Sequence, residues 1–267
     1  MSDPDGSRPD VEGGAARDLT EIASHRGIKA LVTRPHEESE SLALALASRG
    51  VGAVIEPMIQ IHYCAAAALD LAMVQAILCT SVNGVRALAR VTGERWLPLF
   101  AVGEATAARA HAEGFTTVES ACGAVADLVR LATERLRPQD GRLLHAAGNI
   151  VAGDLVGALR ARGFAIERSV LYEARPVGAL SAPAVRALRC GTTAFALFFS
   201  PRTAAIFVRL AAVAGVAECC GTITALAISA AADAVLAGLP WHDRRVAERP
   251  NQPALLDMLD AVLAERR

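Results

Sequence analysis

The feature that most constrains this chain is an internal repeat. Six residues near its start recur later at one constant spacing, without a gap: Leu31, Leu42, Leu46, Arg49, Gly50 and Met58 match Leu144, Leu155, Leu159, Arg162, Gly163 and Leu171. A second pair of segments is also alike, because AILCTSVNGVRAL (76–88) resembles FALFFSPRTAAIF (195–207), and FAVGEATAA (100–108) resembles LAISAAADA (226–234). We call the first stretch (31–58) A and its copy (144–171) A′, and the second pair B (76–108) and B′ (195–234). The order A–B–A′–B′ predicts two similar substructures. Chance similarity between alanine-rich segments is the alternative.

Short apolar runs alternate with helix-like segments along the chain. Ile28–Thr33 is typical of a strand, Glu40–Gly50 of a helix that ends at its glycine, and Leu69–Gln75 of a short helix. This alternation predicts βα units and parallel sheets. Small polar residues follow several strands and precede helices. They should therefore place backbone N–H groups at the carboxyl ends of the strands, where open α/β sheets bind ligands.

Composition excludes several classes of function. The net charge of −1 provides no basic surface for nucleic acid or an anionic membrane. The apolar zone from residue 194 to 232 is interrupted by charged residues, so we expect no membrane span. The six cysteines contain no C-x-x-C pair, the six histidines are scattered, and the sequence has no P-loop and no full G-x-G-x-x-G motif. We therefore expect no metal, nucleotide or flavin cofactor, and a reducing, cytoplasmic location. Residues 1–26 are predicted to be a disordered tail.

Tyr172 lies at the end of an alternating, strand-like stretch, Arg162–Arg175. By the repeat, this stretch is the second copy of Arg49–Tyr63. In that first copy, the alternation Met58, Ile59, Ile61 and Tyr63 suits an exposed, two-stranded connection better than a buried parallel strand. We therefore predict that the extended segments 58–63 and 172–177 both cross between two lobes.

Several short motifs, in order, resemble the uroporphyrinogen-III synthase family: LVTRP, PMIQIHY, TSVNGV, AVGEATA, SVLYEARP, FFSPRTA and VAERPNQPALL. The resemblance covers the chain from about residue 28 to the end. It implies an α/β fold of two flavodoxin-like lobes with parallel sheets, joined by a two-stranded antiparallel linker. Lobe 1 would comprise residues 27–58 plus 177–267, and lobe 2 residues 63–172. Segment A would then pair with B′, and B with A′.

The resemblance also implies a reaction. The substrate would be hydroxymethylbilane, an open chain of four pyrroles that carry acetate and propionate groups. The enzyme, a hydro-lyase, would close the ring, invert ring D and release water, as a cytoplasmic monomer of tetrapyrrole biosynthesis. Tyr172 matches the family tyrosine beside the cleft and would assist departure of the hydroxyl group. A phenol is a weak acid with a pKa of about 10, so partial proton transfer is expected. The alternative is a linker tyrosine whose hydroxyl points to water.

The carboxylates of such a substrate need donors. Candidates at turns after predicted strands are Arg34, Thr80, Ser81, Asn83, Gly103, Thr106, Gly148, Ser200, Arg202, Thr203 and Ser229. Ordinary helix capping by the Ser, Thr and Asn residues is the alternative, as is exposure of both arginines to solvent. Two positions depart from the family pattern: Ala232 replaces a threonine, and Ala147 precedes Gly148 where the family often has arginine.

Two other classes of function remain open at this point. One is a non-catalytic, two-lobed protein of the same fold that binds a small anion or regulates. The other is a scaffold in a pathway complex, and a transient contact with the preceding pathway enzyme belongs with it. No DNA-binding segment is visible in the sequence, which favours the enzyme.

Overall fold

The structure is a computed structural model that describes residues 27–64, 69–121, 123–151 and 153–266. The predicted tail, residues 1–26, lies outside this range. The chain divides into two compact units. Unit 1 contains the residues up to Gln60 and those from Pro176 onward, and unit 2 runs from Ile61 to Arg175.

Strands and helices alternate through both units. The strands are β1 Lys29–Val32, β2 Gly52–Ile55, β3 Ile59–Tyr63, β4 Val74–Cys79, β5 Leu99–Ala101, β6 Val118–Ser120, β7 Arg142–Gly148, β8 Ile166–Pro176, β9 Thr193–Phe198, β10 Thr224–Ala227 and β11 Asp243–Val246. The helices are α1 His36–Ala47, α2 Val82–Val91, α3 Glu104–Ala112, α4 Val125–Arg135, α5 Leu155–Arg160, α6 Ala182–Arg189, α7 Pro201–Val213, α8 Ala230–Leu236 and α9 Gln252–Glu265. Of the helices described, none combines the length and apolar character needed to cross a lipid bilayer.

Unit 1 is built on a five-stranded sheet with the order β11-β10-β9-β1-β2. All its strand pairs are parallel. The central strands carry fully buried side chains such as Phe195, Leu197 and Leu226, which pack with Leu255 and Leu259 of α9. Strands buried on both faces read as continuous apolar runs, as the sequence predicted. Segment A therefore pairs with B′, as the family resemblance implied.

Unit 2 is built on a six-stranded sheet with the order β3-β8-β7-β4-β5-β6, in which A′ pairs with B. Four of its strand pairs are parallel. The remaining pair, β3 with β8, is antiparallel, because partner numbers fall on one strand as they rise on the other. The N–H of Cys64 donates to the carbonyl of Leu171, and that of Val177 donates to Met58. The predicted two-stranded antiparallel connection is thus confirmed.

The two sheets share one register. In unit 2, His145 pairs with Leu78 on one side and Arg168 on the other. In unit 1, Val32 pairs with Leu197 and Ile55 in the same way. These residues also correspond in the gap-free sequence repeat. A slip of one residue would turn each strand's buried side chains to the opposite face. The shared register therefore supports the repeat over chance similarity.

The predicted helix at Leu69–Gln75 is wrong. The carboxylate of Asp70 accepts a hydrogen bond of 2.8 Å from the N–H of Ala72, which stabilises a turn instead. Met73 then adopts a left-handed conformation with φ of 56°. The strand β4 begins immediately afterwards at Val74. The prediction failed because a hydrogen bond from the backbone to a side chain favours a turn over a helix here. The pattern of hydrophobic residues does not reveal such a bond.

Gly84, in the first turn of α2, tests how closely this helix packs on β7. A Cβ atom there would lie 2.7 Å from the carbonyl oxygen of Ala146. We expect Gly84→Ala to lower the free energy of unfolding by about 1–3 kcal/mol, because the backbone must shift. The control is Gly93→Ala, where a Cβ would meet nothing within 4 Å. Urea denaturation measures both variants, and equal midpoints for the two would contradict this packing.

Candidate functional site

Three serines begin helices at the carboxyl ends of strands. Ser81 Oγ accepts the N–H of Gly84 at 3.0 Å, and Ser200 Oγ accepts that of Thr203 at 3.1 Å. Ser229 Oγ accepts the N–H of Ala232 at 3.3 Å. The capping interpretation is therefore confirmed for all three. A hydroxyl that accepts such a bond keeps its own proton to donate, so a second role in binding carboxylates stays a prediction.

The side chain of Tyr172 meets one of these caps. Its hydroxyl oxygen lies 2.9 Å from Ser81 Oγ, and the residue is only 6% exposed. Gly148 allows the ring to approach, because a Cβ there would lie 2.5 Å from Cζ of the tyrosine. The structure thus brings together three of the predicted site residues. The alternative, a hydroxyl that points to water, does not describe this side chain.

Two residues that sequence reasoning missed hold the turn after β7. The N–H of Asn149 donates to the carbonyl of Tyr172 at 3.0 Å, and its Oδ1 accepts the N–H of Ala174 at 2.9 Å. Arg168 Nη2 donates to the carbonyls of Gly148 and Asn149 at 2.5 and 3.0 Å. The turn and the tyrosine strand are therefore tied together. The only available signal was the Gly-Asn pair, which is typical of tight turns.

Thr80 bonds to a buried histidine that was also missed. Its Oγ1 lies 3.2 Å from Nε2 of His145, which is 1% exposed. Nδ1 of the same ring is buried and has no hydrogen-bond partner among the described residues. Burial, and secondarily the charge of Arg168, lower the pKa of His145 from 6.5 to about 4. The imidazole is therefore neutral near pH 7.

The other predicted residues of unit 2 lie at or within helix starts. Asn83 is buried and accepts a hydrogen bond of 3.1 Å from Arg86 Nη1. Gly103 precedes α3, and its carbonyl accepts the N–H of Thr106 at 3.0 Å. Thr106 is 5% exposed. Their positions at strand ends agree with the prediction, and Asn83, at 9% exposed, is no more buried than Tyr172, at 6%.

In unit 1, Arg34 already has partners. Its Nε donates to Glu38 at 2.9 Å and its Nη1 to Gln252 at 2.7 Å, while Cζ lies 4.5 Å from the ring centroid of Phe199. These contacts show that Arg34 is not simply an arginine exposed to solvent. A substrate carboxylate would have to compete with Glu38 for its guanidinium. In α7, Arg202 is half-buried in the first turn.

Thr203 lies one turn after Ser200 and is 4% exposed. Its Oγ1 donates to the carbonyl of Ser200 at 3.0 Å. The hydroxyl proton is therefore committed within the helix start. Elsewhere in the described ranges, no three His, Cys, Asp or Glu side chains are grouped so that they could hold a metal ion.

Comparison with known proteins identifies the family. The family model described as uroporphyrinogen-III synthase HemD matches residues 40–257. The chain belongs to this family. Its fold is similar to that of the crystal structure of uroporphyrinogen-III synthetase from Helicobacter pylori, with 18% identity, a TM-score of 0.58, and coverage of 79% of this chain and 93% of that one.

A second crystal structure, of a mutant uroporphyrinogen III synthase from Thermus thermophilus, has a similar fold. The two chains are 16% identical, with a TM-score of 0.50, and the match covers 89% of this chain and 99% of that one. No curated protein sequence matches the chain. At these identities the structural likeness concerns the fold alone, and the family assignment rests on the family model.

The bond between Tyr172 and Ser81 in this family member can be measured by a double-mutant cycle. We expect Tyr172→Phe and Ser81→Ala to show a coupling energy of about 0.5–1.5 kcal/mol in urea denaturation, because each removes the same hydrogen bond. The control pairs Tyr172→Phe with Thr133→Ala, whose hydroxyl bonds only to carbonyls of its own helix. Additivity in the first cycle would show that the two hydroxyls do not interact.

His145 should make stability depend on pH. Its folded pKa of about 4 lies below the unfolded value of 6.5, so the unfolded chain binds a proton first as pH falls. Relative to His145→Gln, the wild type should be fully stable above pH 6.5 and lose about 3 kcal/mol at most by pH 4. Exposed His111 supplies the control, His111→Gln. Parallel stability curves for wild type and His145→Gln would refute the shift.

Proposed function

We propose that this chain is a uroporphyrinogen-III synthase, a lyase that converts hydroxymethylbilane into uroporphyrinogen III and water. The observation that carries the proposal is the family match over residues 40–257. The contact of Tyr172 with a helix start at the end of β4 supports a specific chemical role for this side chain. No observation favours the non-catalytic alternative.

In the proposed mechanism, Tyr172 assists the departure of the hydroxyl group. The N–H of Gly84 donates to Ser81 Oγ, whose own proton can be donated to the phenol oxygen. Such a chain of donors polarises each successive O–H group and makes the phenol a better donor. The phenol proton then points to the leaving oxygen. The carbon–oxygen bond breaks, its electrons leave with the oxygen, and the phenol proton passes to that oxygen, so that water and the phenolate of Tyr172 are formed.

The remaining steps use the substrate's own reactivity. Electrons of the terminal pyrrole stabilise the methylene carbon as an azafulvene, and the substituted carbon of ring D attacks it to form a spiro intermediate. That intermediate breaks and rejoins with ring D inverted, and the proton that is lost when the pyrrole is restored returns the phenolate of Tyr172 to the phenol. The protein's contribution is to hold the chain in a geometry that favours this attack over direct closure.

Substrate carboxylates are proposed to bind at the helix starts. The backbone N–H groups there and the proton of Ser229 suit anionic oxygens, and Ser200 would share its proton with Thr203 Oγ1, which lies 3.1 Å from Ser200 Oγ. The remaining predicted donors keep that role as proposals. Arg34 would contribute by sharing its guanidinium with Glu38.

We further propose that the enzyme works as a monomer in a reducing, cytoplasmic setting. The support is that Cys64, Cys79, Cys190, Cys219 and Cys220 are all free thiols.

Tyr172→Phe tests the proposed acid. Hydroxymethylbilane is generated enzymatically in the assay, and the porphyrin isomers are separated after oxidation. We expect formation of the inverted isomer to slow by roughly 10- to 100-fold without being abolished, because a hydrogen bond to the leaving oxygen is lost while the geometry remains. The control is Tyr63→Phe, which keeps the ring that Arg90 Cζ approaches at 4.0 Å.

Two outcomes would contradict these proposals separately. Full activity of Tyr172→Phe would remove the role of the phenol alone. If the wild type yields only the uninverted isomer, at the rate seen without protein, the enzymatic function itself is wrong.

A further inference from the structure

Unit 2 contains a cavity that the proposed mechanism does not use. Its volume is about 490 Å³, and it is lined by residues of β7, β8, α5 and the segment before α5, including His145, Arg160 and Arg168. Small-molecule sites commonly range from roughly 300 to 1,000 Å³. The cavity lies on the face of the sheet that carries Leu143 and Ile166, whereas Tyr172 packs with the core of the other face.

His145 lines this cavity and has one ring nitrogen without a described partner. Nε2 is occupied by Thr80, whereas Nδ1 is buried and meets no described hydrogen-bond partner. A buried polar atom without a partner costs about 1–3 kcal/mol. If the hydroxyl of Thr80 donates to Nε2, the neutral ring carries its proton on Nδ1. That proton then has no acceptor among the described residues.

The charges that line the cavity favour an anion. Arg160 and Arg168 use only Nη2, which donates to backbone carbonyls, and neither pairs with a carboxylate of the described residues. Of the two acidic groups that line the cavity, Glu167 is neutralised by an arginine, whereas Asp154 caps a helix and keeps its charge. Glu167 pairs with Arg142, and Asp154 accepts the N–H of Gly157 at 2.8 Å. Two guanidinium groups thus retain donors for an oxyanion.

The internal repeat shows that the fold itself does not require these polar groups. In unit 1, the residues at the positions of Thr80, His145 and Arg168 are Phe199, Val32 and Ile55. All three are apolar, and the sheet has the same register. The polar set in unit 2 is therefore an addition to the scaffold, and its one buried member, His145, carries a cost in desolvation that a bound ligand would offset.

We propose that the cavity formed by His145, Arg160 and Arg168 is a binding site for a small oxyanion, a carboxylate or a phosphate. Arg160 and Arg168 bind the charge, and the Nδ1 proton of His145 fixes the orientation of one oxygen. The anion is either free in solution or, if the proposed function holds, a carboxylate arm of the tetrapyrrole.

Binding is measured on the full chain with inorganic phosphate and with succinate as probes. Calorimetry gives the affinity, and the imidazole ¹⁵N resonances of His145, assigned with His145→Val, report on the site directly. We expect saturable binding that shifts the His145 resonances. Arg160→Gln should weaken it about tenfold, which corresponds to about 1.4 kcal/mol.

Arg162→Gln is the matched control. Arg162 follows the same helix and also donates a single bond to a backbone carbonyl, that of Ala158 at 2.8 Å, but it does not line the cavity. Its affinity for both probes should equal that of the wild type. If His145→Val fails to fold, the contrast between the two arginine variants in calorimetry still decides the question.

The outcomes separate the proposal from the proposed function. Absence of saturable binding by either probe, or equal weakening by Arg160→Gln and Arg162→Gln, overturns the site. Displacement of phosphate by uroporphyrinogen III supports a tetrapyrrole carboxylate as the occupant, and simultaneous binding supports a free anion. The measurement of phosphate binding does not require catalysis. It therefore tests the site even if the chain forms no inverted isomer.

Discussion

The ring of Tyr172 lies against Gly148, where a Cβ atom would come within 2.5 Å of Cζ. That approach brings the phenol to Ser81. The hydroxyl of Ser81 therefore both caps α2 and contacts the tyrosine. Asn149 and Arg168 hold the same turn from the other side. The position of the proposed acid, Tyr172, therefore depends on the absence of a side chain at Gly148. A larger residue at Gly148 would displace the ring before it affected any other part of the site.

The two sheets show how one scaffold supports different chemistry. Their registers agree residue for residue, yet the row Leu78–His145–Arg168 corresponds to Leu197–Val32–Ile55. The three aliphatic side chains of unit 1 are stabilised by burial alone. In unit 2, the neutral imidazole of His145 and the guanidinium of Arg168 also need hydrogen-bond partners. The serine caps are common to both units because each helix start has unsatisfied N–H groups. The positions at which the two copies differ, such as His145 and Arg168, are therefore the ones that indicate a function beyond folding.

Much of the fold could be predicted because the signals are local. The apolar run Ile28–Thr33 predicted β1, and Ser200 marked a helix start that the structure confirms. The segment at Leu69–Gln75 was mispredicted because one carboxylate, that of Asp70, stabilises a turn. His145 and Arg168 were missed as site residues because a single polar residue in a strand does not reveal what faces it. The difference between the repeat copies at these positions was the available signal.

The sequence by itself determined the alternation of strands and helices, the gap-free repeat and the serine caps, since each depends on neighbouring residues or on a constant spacing. The repeat alone did not show whether segment A shares a sheet with B or with B′. The family resemblance implied B′. Only the tertiary structure decided that Tyr172 meets Ser81, 91 positions away, and that Thr80 meets His145, 65 positions away. Such contacts depend on strand order and on the face to which each side chain turns. Both are properties of the assembled sheet, in which residues distant in the chain become adjacent.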